Sequence, residues 1–158
     1  MNTGDKWLFL DLEGTIIDDI ETGIVLEENV ARIEKFILRE YPDHIITFSW
    51  AFWTPGDLQR FPMIANWFKK RFGRELKLQA FDVREQRLEF LKSVLGEVTP
   101  EELFNFNMLA TKERVFEWFA RNKRLVGHFI LIDDTVPTKT ILCNSGKLKI
   151  DLHNVYSV

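Results

Sequence analysis

Residues 7–15 read WLFLDLEGT, an apolar run that ends on a carboxylate and carries a second carboxylate two positions later. The run predicts a buried strand over roughly residues 6–12. Residues 16–24, IIDDIETGI, mix turn formers with apolar residues and predict a small hairpin, a flap reaching to about residue 25. Leu26, Val30, Ile33, Phe36 and Ile37 recur at helical spacing, and Tyr41-Pro42-Asp43 stops that helix. HIITFS at 44–49 predicts a short buried strand. WAFWTPGD follows as a loop, then a helix over 57–72 built on Ile64, Trp67 and Phe68, with Gly73 as its cap.

The second half repeats the alternation. Residues 76–81 predict a third strand and 84–95 a helix closed by Gly96. Thr99-Pro100-Glu101-Glu102 has the N-cap residue, the proline and the early acids of a helix start. Thr111 caps a further helix to Asn122, with Val115, Trp118 and Phe119 expected on its inner face. GHFILI at 127–132 predicts a fourth strand, and the tail KLKIDLHNV alternates as a half-exposed edge strand does. Strands alternating with helices predict an α/β fold, a three-layer sandwich around a central, mainly parallel sheet. No repeat, low-complexity tract or linker divides residues 1–158, so a single domain is expected.

Composition narrows the function classes. The chain of 158 residues is 46% hydrophobic and 28% charged, a globular balance without a case for disorder. A net charge of −3 gives no global attraction to nucleic acid or anionic membrane. The one cysteine, Cys143, forms no intrachain disulfide, and neither a signal peptide nor a stretch of transmembrane length is read, so a cytoplasmic protein is expected.

The chemistry gathers at the strand ends. Alternation along a strand would project Asp11 and Glu13 to one side, and Gly14 allows a sharp turn directly after them. Open α/β sheets place ligands at the carboxyl ends of their strands. HFILIDD at 128–134 ends in a second acidic pair, Asp133 and Asp134. Side by side, these strands would converge three or four carboxylates. Such a cluster repels itself and calls for a divalent cation, Mg²⁺ above all.

In order, these motifs resemble the haloacid dehalogenase superfamily of aspartyl-phosphate-forming enzymes. The first motif is Asp11-Leu12-Glu13-Gly14-Thr15, the second ends IITFS at Ser49 (with Thr47 as the alternative), the third is Lys112 in ATKERVFEWF, and the fourth is LIDD. Lys139 competes for the third role. Enolase-phosphatases of the superfamily carry the same Asp-x-Glu-Gly-Thr, where most members have a second Asp. The resemblance implies a Rossmann-like core, with no room for a large cap between Thr15 and Ser49.

It further implies a Mg²⁺-dependent phosphatase. Asp11 would be the nucleophile, and Glu13 would protonate the leaving oxygen and then activate water. Ser49, Thr15 and Lys112 would hold the phosphoryl oxygens. Asp11, Glu13 through its backbone carbonyl, and Asp133 or Asp134 would ligate the metal. By the same analogy an open site suits a nucleotide, a nucleic-acid end or a phosphoprotein, and the expected partner is a phosphorylated small molecule or nucleotide. Trp50 and Trp53, beside Phe52 on the bordering loop, could stack on a base or instead close the core.

Three other readings stay open. Asp-x-Glu after a strand also resembles the first motif of DEDD-type 3′–5′ exonucleases, although Asp151 lies on the wrong side of His153 for that pattern. A haloacid dehalogenase-like fold could bind a ligand or partner without turnover. A phosphotransferase would use the same nucleophile. His128 and His153 are read as structural, and Lys69, Lys70, Arg71, Arg74 and Lys77 as a solvated basic face.

Overall fold

The computed structural model describes residues 5–49, 55–59, 62–79, 89, 92, 96–104, 111–122 and 125–158. Among these residues five strands form one mostly parallel sheet: β1 (Lys6–Leu10), β2 (His44–Thr47), β3 (Gly127–Asp133), β4 (Lys139–Cys143) and β5 (Leu148–Asn154), in the order β2-β1-β3-β5-β4. β1 pairs in parallel with both β2 and β3, β3 pairs in parallel with β5, and β4 closes the edge antiparallel to β5. Helices α1 (Glu27–Glu40), α2 (Pro55–Leu58), α3 (Pro62–Phe72), α4 (Pro100–Phe104) and α5 (Lys112–Asn122) accompany these strands among the described residues. The fold is α/β.

Alternation along β1 sorts the core into two clusters. Leu8 and Leu10 join Val30, Ile33, Phe36 and Ile37 of α1 and Phe68 of α3. Phe9 faces the other way and joins Phe116 and Ala120 of α5 with Phe129 and Leu131 of β3. Apart from Cys143 in the second, both clusters of buried residues are aliphatic and aromatic. At about 1.5–3 kcal/mol for each large side chain taken out of water, they are the main force holding helices to sheet.

Local signals act as their chemistry requires. Tyr41 ends α1 in the left-handed region at φ 45°, its N–H bonding Ile37 O at 2.8 Å. Thr99 and Glu102 cap α4 reciprocally: Glu102 N donates to Thr99 Oγ1 at 3.1 Å, and Thr99 N to Glu102 Oε1 at 3.3 Å. Thr111 Oγ1 accepts from Arg114 N and starts α5.

Several expectations need correction. The tail strand β5 is not an edge, because β4 lies outside it in a hairpin that turns through Asn144–Gly146. Short, half-exposed KTILC hid that edge from the apolar pattern. The helix expected over 57–72 is two helices, α3 beginning afresh at Pro62, where a missing N–H costs nothing. The expected third strand makes one parallel bridge, Lys77 to Ile46, and its residues beyond 79 lie outside the described residues, as does nearly all of the helix expected over 84–95. On α5 the buried hydrophobic residues are Phe116 and Ala120, while Val115 and Trp118 are half-buried. The side chain of Phe119 lies outside the described residues.

Between Thr15 and Ser49 the chain holds only the flap, α1 and β2. The flap closes through an Ile17–Val25 bridge and through Leu26 N to Ile16 O at 2.8 Å. Among the described residues no helix is long and apolar enough to cross a membrane.

Candidate functional site

Asp11 follows the last residue of β1, and its N–H donates to Ile132 O of β3 at 3.1 Å. That bond carries the sheet register one step past the strand and sets Asp11 beside the end of β3. Its carboxylate falls on the Phe9 side of the sheet, the side that α5 covers. Lys112 opens α5, and Phe116 and Ala120 recur at i+4 and i+8, so a helical stripe that buries both rings and methyls also carries Lys112 inward. Burial of Lys112 is therefore a consequence of helix phase.

The ammonium bridges two carboxylates. Lys112 Nζ lies 2.5 Å from Asp11 Oδ1 and 2.5 Å from Asp133 Oδ2, and all three side chains are buried. The Phe48 ring lies beneath it, 5.7 Å from Nζ to the ring centroid. Thr15 Oγ1 reaches Asp11 Oδ2 at 2.9 Å and Asp134 Oδ1 at 3.4 Å. Thr135 donates to Asp133 Oδ1 twice, from N and from Oγ1, each at 2.7 Å. Asn154 Nδ2 holds the following loop through Asp134 O and Val136 O.

Electrostatics separates the two aspartates. Burial pushes the Asp11 carboxyl up to about 7; the Lys112 charge opposes this and the negative charge of Asp133 adds to it. Burial also opposes ionisation of Asp133, but Lys112 and the two bonds from Thr135 outweigh it and hold this carboxyl below its usual range. Burial alone would lower Lys112, yet the two carboxylates together raise it. Asp133 is thus the settled anion and Asp11 the adjustable one.

Asp11, Asp133 and Asp134 each offer an oxygen within 4.8 Å of the others. Three carboxylates against one ammonium leave a net negative, all-oxygen donor set. That set suits a hard divalent cation such as Mg²⁺. The fit is one of donor chemistry.

The predicted residues do not all meet. Asp11, Lys112, Asp133, Asp134 and Thr15 converge. Thr15 is fully buried and bonds two of the carboxylates, so here it orients Asp11. Glu13 stands apart: it is exposed, and its Oε2 accepts from Ile20 N of the flap at 3.1 Å. Alternation failed because the chain leaves the strand after Asp11, with Thr15, Ile16 and Ile17 N–H groups all folding back on Leu12 O. Ser49 is buried just past the end of β2. Thr47, the alternative, has its hydroxyl engaged with the backbone of Gln79 at 2.9 and 3.3 Å. Lys139, the competing lysine, pairs with Glu113 and is half-exposed. Trp50 and Trp53 lie outside the described residues.

Two contributors escaped the sequence reading. Thr135 fixes Asp133, and the Asp-x-Thr spacing of a side-chain turn was the available signal. Asn154 comes from the far end of the chain, with no local signal. Comparison with models of known families, with curated proteins and with solved structures finds no match to this chain. The chemistry of the site rests on its own geometry.

Proposed function

We propose that this chain is a Mg²⁺-dependent phosphomonoesterase of haloacid dehalogenase type that works through an aspartyl-phosphate. The observation that carries the reading is a buried Asp11 at the end of a central parallel strand, bridged by Lys112 to Asp133 and closed by Asp134. Helix residues in both core clusters support the three-layer, Rossmann-like arrangement that goes with it.

An ionised Asp11 oxygen attacks phosphorus, a P–O bond to Asp11 forms, and the bond to the leaving oxygen breaks with its electron pair. Thr15 aims the Asp11 carboxylate, and Lys112 offsets negative charge beside the phosphoryl oxygens. Ser49, buried past the end of β2 next to β1, would donate to the same group. Mg²⁺, held by Asp11, Asp133 and Asp134, would supply charge neutralisation and polarise the phosphoryl group. Glu13 gives the leaving oxygen a proton and takes one from the water that cleaves the aspartyl-phosphate. For this it must release Ile20 N and turn inward, so flap movement and acid catalysis are joined.

Nucleotides or nucleic-acid ends are the favoured substrates, on the absence of room for a cap between Thr15 and Ser49. The test is phosphate release from nucleoside monophosphates, sugar phosphates and an aryl phosphate, with Mg²⁺ and with chelator, using Asp11→Asn as control. Chelator-sensitive release that the variant loses supports the reading; release that survives in the variant overturns it.

The outward Glu13 favours a second reading, a binding protein on the same fold that does not turn over. Mg²⁺ binding with no release from any substrate in the panel would select it. The exonuclease reading finds no support, since β1 pairs in parallel with both neighbours and His153 packs on Phe36.

A further inference from the structure

At the opposite end of the sheet from Asp11 lies a groove of about 700 Å³, within the size range of small-ligand sites. Trp7 and Asp11 are four residues apart on one strand, so the two places are separated by roughly 13 Å along β1. Ile45, Ile46 and Leu76 supply apolar lining. Trp7 and His44, partners in register, stack at 3.9 Å between ring centroids and give one wall a fixed shape. Lys69, Arg74 and Lys77 bring three positive charges to the same groove, in a chain whose net charge is negative.

Arg74 is the informative residue. Its guanidinium lies over the Tyr41 ring, 4.7 Å from the centroid, and Nη2 donates to Pro42 O. Nη1 is buried and has no hydrogen-bond partner among the described residues. A buried charged donor without an acceptor is costly, and two of its neighbours already fix the group in place. The acids that line the groove do not meet this need. Asp43 Oδ2 accepts from Lys6 N at 2.7 Å, while Glu75 is largely exposed and pairs with Lys69 at 3.0 Å. Lys77 is exposed, lines the same groove and forms no ion pair among the described residues.

We infer that this groove binds a phosphate-bearing ligand whose charge is shared by Arg74, Lys77 and Lys69. A planar guanidinium held at one edge suits a tetrahedral oxyanion that takes a second bond from an ammonium. The phosphate can belong to a free mononucleotide or to a nucleic-acid backbone, since both present the same group. This site is independent of the reading of Asp11.

The experiment is a titration with inorganic phosphate in the presence of chelator, followed by amide ¹H–¹⁵N shifts. Saturable shifts are expected at His44 and at Gly73–Lys77. Arg74→Gln should weaken binding by about tenfold, the scale of one charge-assisted hydrogen bond. Lys77→Gln, at an exposed position, should weaken it severalfold without affecting the fold, so the inference stays testable if Arg74→Gln is unstable. Shifts confined to the neighbourhood of Thr15 and Lys112, unchanged affinity in Lys77→Gln, or no saturable shift would each overturn it. Adenosine monophosphate and a short oligodeoxynucleotide, titrated in parallel, distinguish the sources. Tighter binding of the mononucleotide assigns a small ligand, and tighter, salt-sensitive binding of the oligonucleotide assigns a nucleic-acid strand.

Discussion

Gly14 packs so closely on Asp134 that a Cβ at position 14 would come within 2.9 Å of the Asp134 Cγ. Its φ of +77° already excludes most side chains without strain. The glycine therefore does two things: it turns the chain after Asp11 and lets a third carboxylate approach. Gly14→Ala should destabilise the fold by about 1–2 kcal/mol and push Asp134 out of the cluster. Urea unfolding checks the first, and Mg²⁺ titration of the folded variant checks the second. A variant with unchanged cation affinity would remove Asp134 from the ligand set.

Asp11→Asn should change how stability depends on pH. The Asp11 carboxyl titrates at about 7 in the folded chain against an ordinary value of 3.8. Between those values the folded chain keeps a proton that the unfolded chain releases, so this group lowers stability progressively from about pH 4 to 7 and by a constant amount above. Asparagine has no such dependence. The stability of the variant relative to wild type should rise by a few kcal/mol, on the order of the shift itself, between pH 4 and pH 8 in chelator. An equal difference at both pH values would show that folding does not raise the Asp11 carboxyl above its ordinary value.

Cation binding should follow the same carboxyl with the opposite sign. A metal requires the ionised form, so Mg²⁺ competes with the Asp11 proton. Affinity measured calorimetrically should be about tenfold tighter at pH 8 than at pH 6. Flat affinity across that range would assign binding to groups other than Asp11.

Lys112→Met keeps an unbranched side chain one atom shorter and removes its charge. Asp11 and Asp133 would then face each other buried and uncompensated, a loss of about 3–5 kcal/mol. Added Mg²⁺ should recover part of that loss, because a bound cation takes over the neutralising charge. Urea midpoints with and without Mg²⁺ measure both effects, and a variant as stable as wild type in chelator would contradict the bridging role.

Glu13→Gln separates chemistry from flap anchoring. Glutamine retains an oxygen for Ile20 N, so stability should stay within about 0.5 kcal/mol. Turnover should fall by about 10²- to 10⁴-fold if Glu13 carries the proton. Undiminished turnover would leave Glu13 as a flap anchor alone.

Much of this was legible before the structure, for identifiable reasons. The apolar runs that end on Asp11 and on Asp133 are strand signals and site signals together. Their parallel pairing with the strand order around β1 follows from helices intervening between them. Thr111 marks the start of α5, and helix phase then puts Lys112 on the same stripe as Phe116. What failed was reasoning that extended a local rule past its end. Strand alternation placed Glu13 beside Asp11, although the backbone had already turned at Leu12. The edge position of β4 was hidden because its exposed face reads as polar loop, and the bonds from Asn154 depend on β5 lying next to β3.

The backbone bond from Asp11 N to Ile132 O ties the end of β1 to β3, and the Lys112 bridge spans 101 positions from Asp11. No local segment can assemble this centre. Its carboxylates meet only through contacts of long sequence separation, whose loop closure carries a high entropic cost. A nascent or truncated chain ending before β3 would carry Asp11 and Lys112 without the other two carboxylates, Asp133 and Asp134. The cluster of Asp11, Asp133 and Asp134 is accordingly a property of the completed sheet rather than of any one segment.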